Sequence, residues 1–303
     1  MPSTDPDEMA KDFTQLVEDL AYAKTFYPKG KVTQYINNEA SKIYLSIYKN
    51  RKEESNRLWT FWKYDLPLVI RKHHKVMLFS FIFFAVFFSI GFFSAMQDHE
   101  MPNRILGPDY VRETTRNINS GNPFGIYESG HPLLSWLWIM VNNIRFALIT
   151  FASGIFCGIP SLFFLGETGV MVGVFDQFFA ARGWGVDFWL VVFVHGTLEI
   201  TAIIIAAAAG LVIGKSFLFP GTLSRLTAFK QGAKDGVKIM IGLLPVFALA
   251  AFFEGLFTRL YNDLSILTTI ITTLSVIFVA WYFIIYPIML GRKMKWQLNE
   301  EEV

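Results

Sequence analysis

Apolar runs about as long as a bilayer is thick recur through the last three quarters of this chain. They limit the fold more than any motif does. They lie at 76–96, 135–159, 160–181, 188–214, 239–257 and 264–290. A run of about 20 apolar residues makes a helix long enough to cross the hydrocarbon layer. Lipid offers no partner for backbone N–H and C=O groups, so each crossing must satisfy its own, which an α-helix does. The third run is the weakest, because "FLGETGVMVGVFDQFF" carries Glu167 and Asp176; a re-entrant segment buried in protein is its alternative. With 53% of 303 residues hydrophobic, the expected fold is all-α: a polytopic transmembrane helical bundle of about six spans.

Composition removes several functions. The net charge of +2 gives no basic surface for nucleic acid. Cys157 is the only cysteine, which excludes an intramolecular disulfide and a Cys-based zinc site. The first apolar run begins near Val76, too late for a cleavable signal peptide, so it is expected to be retained.

Residues 1–75 are polar and read as a small cytoplasmic helical hairpin. Phe13, Leu16, Leu20 and Ala23 repeat at helical spacing, as do Ile36, Ala40, Ile43 and Ile47, with a break near "YPKGK". The bundle is expected over 76–290 and a cytoplasmic tail over 291–303. Orientation follows from basic residues. "RKHHK" at 71–75, Lys215 to Lys238, and Arg292 to Lys295 fall on one side of a six-span chain, which should be cytoplasmic. Residues 97–134 then form an exterior loop, with a short helix near 109–118. Lys230, Lys234 and Lys238 are four apart, a spacing that suits an interfacial helix facing anionic membrane lipid, or a solvated loop face.

Inside the spans, small residues recur at intervals of four: Gly154 and Gly158, Gly169 and Gly173, Gly210 and Gly214. Such pairs let helix backbones approach. Packing within one chain is preferred over a homo-oligomer seam. "FVHGTLEITA" places His195 and Glu199 four apart, on one helix face. At a rise of about 1.5 Å per residue, both fall in the outer half of the bundle, as do Asn142, Asn143, Arg145, Asp176 and Glu254. A charge in lipid needs a partner, so these seven residues are expected to share one polar cluster, with Arg145 as its cation.

A structural network is the preferred role. Ion or proton conduction is the second. Metal-dependent catalysis through His195, Glu199 and Glu254 is the third, although "HGTLE" is not the HExxH signature. No nucleophile elbow, phosphate loop or dinucleotide fingerprint occurs, so the expectation is a non-enzyme with no cofactor.

The order "NNIRFALITFASGIFCGIP", "GETGVMVG", "HGTLEITAIIIAAAAGLVIG" and "FFEG" resembles the stage II sporulation protein M family, best over 130–260 and more weakly at "YDLPLVIRKHHK". The matching positions are Asn142 or Asn143, Gly166, Gly169, Gly173, His195, Gly196, Glu199, Gly210, Gly214 and Glu254. The resemblance implies a bacterial inner-membrane scaffold for partner proteins, with a cell-wall hydrolase or a MoxR-type ATPase as the expected kind of partner. It assigns no catalytic duty to the polar residues.

Overall fold

The computed structural model describes residues 6–28, 30–49, 57–125, 131–257 and 265–301. It divides into two units, 1–59 and 60–303. In the first, α1 (Pro6–Phe26) and α2 (Lys31–Lys49) form the expected hairpin. Ala23, Thr33 and Ala40 are buried, and the Thr33 hydroxyl donates to the Tyr27 carbonyl at 2.6 Å across the break. One expected feature differs. Tyr22, Phe26, Tyr27, Val32 and Tyr35 stay open to solvent, each more than 60% exposed. Two helices have only one mutual face, and their aromatic residues lie outside it.

The second unit begins within α3 (Arg57–Thr60), continues through a π-helical turn at Phe61–Asp65, and reaches α4 (Leu66–Lys72). Then come α5 (His74–Gln97), α6 (Met101–Leu106), α7 (Pro108–Asn119), α8 (Pro132–Ala152), α9 (Ile159–Ala180), α10 (Gly185–Leu218), α11 (Arg225–Phe252), α12 (Ser265–Val279) and α13 (Tyr286–Glu301). No strand occurs among the described residues. Six helices are long and apolar enough to cross a membrane: His74–Gln97, Pro132–Ile155, Ile159–Ala180, Gly185–Leu218, Arg225–Gly255 and Ile266–Lys293. This is a multi-pass membrane protein. The weak third run is an unbroken helix of 22 residues.

Helix α10 is the axis. It packs on α5, α8, α9, α11 and α12, and its run of alanines from Ala206 to Ala209 is fully buried. Small residues set the spacing, as lipid packing requires. A methyl group at Gly154 would land on the backbone of Gly210; at Gly173, on the Phe88 carbonyl; at Gly91, on Val170. Gly169 meets the Phe84 carbonyl at 3.0 Å. These seams join helices of one chain. The turn from α8 to α9 uses left-handed backbone at Cys157 and Gly158, and it rests directly on Gly214.

The basic segment before the fifth span is not a separate interfacial helix. Lys230, Lys234 and Lys238 lie on α11, which runs unbroken into the membrane-crossing part. Its face toward α10 carries Gly232 against Ser216, and a Cβ added at Gly236 would lie 3.2 Å from the Ala209 carbonyl, so close packing on α10 accompanies the helix through this stretch. At this end Asp235 accepts from Lys72 at 2.7 Å and faces His73 Nε2 at 2.8 Å. Gly291 lies against Arg71. The three basic groups therefore share one end of the bundle. At the other end, α6 and α7 cap a phenylalanine cluster in which Phe124 stacks on Phe179 with centroids 5.2 Å apart.

Candidate functional site

The site is assembled by three elements that crowd α10. His195 and Glu199 stand one turn apart on it, on the face that continues into the alanine run. Glu254 arrives from the π-helical segment Phe253–Phe257 that ends α11. A π turn shifts the register of side chains by one position relative to an α-helix, and such turns cluster at functional sites. Pro245, inside α11, lacks the N–H that would close the ladder there. The indole of Trp136 on α8 donates to the neighbouring Ala248 carbonyl at 3.1 Å, and a Cβ added at Gly255 would lie 3.1 Å from the Trp136 backbone nitrogen. Glu254 is thereby held between two helices.

One ligand atom from each of His195, Glu199 and Glu254 lies within 4.8 Å of the others. His195 is buried and feels the charge of Glu254. Asn143 on α8 stands beside Glu199 and interacts with its carboxyl group. Two carboxyl groups and an imidazole share this buried place, where any net charge needs compensation. The compensating charge comes from protons or from a bound cation.

Arg145 does not supply it. Arg145 is exposed and makes no ion pair with any described residue; it sits two positions from Asn143, about 200° around the helix. With Asn142 it lines a cleft of about 1080 Å³ between α5, α8 and α9, whose wall Glu199 also reaches. Asp176 is also separate. It is buried among phenylalanines and hydrogen-bonded to Trp189, ten residues and roughly 15 Å along α10 from Glu199. The expected seven-residue cluster is therefore a core of four: Asn143, His195, Glu199 and Glu254. The packing glycines Gly154, Gly158, Gly169, Gly173, Gly210 and Gly214 hold the helices that carry it.

Sequence reasoning passed over Glu167 and Arg104, which line the same cleft, and the clamp of Asp235 on Lys72 and His73. Asp235 is one acid in a basic stretch. Its partners lie more than 160 residues away, so no local pattern announces them.

The sequence model of the family described as Stage II sporulation protein M matches residues 80–259, which contain all four residues of the core. Residues 1–49 match one described as a domain of unknown function (DUF8413). No curated protein and no solved structure matches.

Proposed function

The chain belongs to the stage II sporulation protein M family, and from that premise we propose that it is a scaffold of the bacterial inner membrane that gathers partner proteins. The observation that carries this reading is the row of open aromatic residues on the separate N-terminal unit, Tyr22, Phe26, Tyr27 and Tyr35. Exposed apolar surface of this kind marks protein contact. The bundle serves as a stiff anchor, since backbone-to-backbone glycine seams leave little room for helices to slide. Both termini are cytoplasmic in this reading, because the basic groups share one end and basic residues favour that side. The aromatic row then faces the cytoplasm, where an ATPase of the MoxR type is the fitting partner. The helices α6 and α7 face outward, where a cell-wall hydrolase is. The test is quantitative recovery of partners with full-length protein from native membranes. Tyr22→Ser with Tyr35→Ser should abolish recovery of the cytoplasmic partner while the protein stays folded. Unchanged recovery would end the scaffold reading for this surface.

A second reading rests on the site itself. Three ligand atoms within 4.8 Å suit a divalent cation held by His195, Glu199 and Glu254, with a coordination position left open. Elemental analysis of protein purified without chelator checks it: stoichiometric metal lost in Glu254→Gln supports the site, and metal-free protein rejects it.

A further inference from the structure

The cleft between α5, α8 and α9 has an unusual combination of properties. Its lining on α9 runs from Ile159 to Met171 and on α8 from Asn142 to Ile149, and α6 closes it with Arg104 and Ile105. Arg104, beyond the end of α5, lines one extremity, and Ile159, the first residue of α9, lines the other. These lie at opposite ends of the spans. Its flanks are apolar, with Phe83, Phe87 and Phe163, and Phe163 and Ile149 are open at its mouth. Its middle is charged. Arg145 lies about 10 Å from the basic end of α8, and Glu167 about 12 Å from the same end of α9. Both are exposed, and neither makes an ion pair with a described residue. Arg104 at the rim, by contrast, is bonded to Asp98 at 3.0 Å.

An exposed, unpaired charge at mid-depth is among the costliest features a span can carry, and such residues almost always line a pathway or face a partner. Here one charge of each sign stands in a single cleft that is open on its flank. Lipid tails complement the phenylalanines. A phosphate complements Arg145, and a head-group ammonium complements Glu167. Charge at mid-depth, rather than only at the rim, means the cleft suits a head group in transit and not merely one at rest.

We propose that this cleft is a lateral track along which phospholipid head groups cross the bilayer while their acyl chains remain in the membrane. The protein then equilibrates zwitterionic phospholipid between leaflets with no energy source and no covalent step. This goes beyond the scaffold reading and uses different residues.

The experiment reconstitutes the full chain in vesicles of phosphatidylethanolamine and phosphatidylglycerol that contain a trace of fluorescent phosphatidylethanolamine, then adds membrane-impermeant dithionite. Empty vesicles protect about half the fluorophore, that of the inner leaflet. Protein-containing vesicles should lose most of that protected fraction. Arg145→Leu with Glu167→Leu should slow the loss at least tenfold. Ile149→Trp, which narrows the mouth without touching either charge, should slow it too, and it stands in if the charge variant fails to purify as a monodisperse species. Protection equal to that of empty vesicles overturns the proposal. So does undiminished scrambling in both variants. Loss of a trapped soluble fluorescent sugar alongside the lipid signal overturns it as well, because that outcome is an unselective pore.

Discussion

Gly214 and Gly196 occupy the same helix, α10, and the same substitution at each should change stability in opposite directions. An added Cβ at Gly214 would sit 2.5 Å from the Cys157 carbonyl carbon and 2.5 Å from the Gly158 nitrogen. That is roughly 0.9 Å inside ordinary contact, and both obstacles are backbone, which cannot rotate away. The turn they belong to is already committed to left-handed backbone, with φ of 57° at Cys157 and 80° at Gly158. Overpacking costs about 1–3 kcal/mol, and a crowded turn of this kind belongs at the upper end. Replacing glycine by alanine in a helix returns about 1 kcal/mol. Gly214→Ala should therefore lose about 1–2 kcal/mol. At Gly196 the nearest atoms are Ile200 Cδ1 at 3.6 Å and Val192 Cγ1 at 3.8 Å, both ordinary contacts with flexible side chains. Gly196→Ala should keep the propensity gain, up to about 1 kcal/mol. The assay is unfolding of purified protein in mixed micelles, followed by tryptophan fluorescence and by helical circular dichroism. A neutral Gly214→Ala, or shifts of the same sign and size at both positions, would refute the claim that backbone contact on α10 sets the packing.

Other expectations concern charge and turn geometry. Glu199→Gln and Glu254→Gln should be strongly non-additive in a double-mutant cycle, with a coupling above about 0.5 kcal/mol; additivity would mean the two carboxylates do not share a site. Burial holds the His73 imidazole below its ordinary 6.5, against the opposing pull of Asp235 and with Lys72 and Lys215 adding to the depression. The unfolded chain then binds the proton more readily, so this contribution to stability is present above pH 6.5 and is lost as pH falls through the folded value. His73→Gln should flatten that part of a stability-versus-pH curve, and an unchanged curve would count against it. Gly158→Ala must adopt a positive φ and meet Leu211 Cδ2 at 2.8 Å; a melting temperature equal to wild type would contradict the strain of about 1–2 kcal/mol that left-handed backbone imposes.

What the sequence revealed was local, and what it concealed was angular. The six spans, the hairpin break near Pro28 and the short helix that became α7 all follow from periodicity and length, which are properties of neighbouring residues. His195 and Glu199 were legible for the same reason, being one turn apart. Glu254 is legible as a buried charge at the depth of His195 and Glu199, but the local turn that aims it at them is not. Pro245 and the π-helical end of α11 rotate it, and neither effect can be read from an apolar run. Arg145 was assigned to the cluster on depth alone. Depth fixes position along an axis and says nothing of azimuth, and two residues of offset from Asn143 turn the guanidinium toward the cleft. The spacing of Lys230, Lys234 and Lys238 suits an interfacial helix or a solvated loop face. Neither alternative shows that Gly232 and Gly236, a small-residue pair legible in the sequence, pack this stretch on α10 as the start of the spanning helix.

Asp176 aside, the ionisable groups facing the axis and those facing the cleft meet different physical demands. Those facing the axis, His195, Glu199 and Glu254, lie within reach of one another and can be neutralised by protons or by one shared cation, so they are compatible with a bundle that does not move. Those facing the cleft, Arg145 and Glu167, make no ion pair with a described residue. The proposed track gives each a partner from outside the polypeptide, a lipid phosphate for Arg145 and a head-group ammonium for Glu167. Glu199 belongs to both settings, because it joins the axial core and also reaches the wall of the cleft. Any proton or cation bound at the axis is therefore felt at the flank, and Glu199→Gln should alter the behaviour of the cleft even though it leaves Arg145 and Glu167 in place.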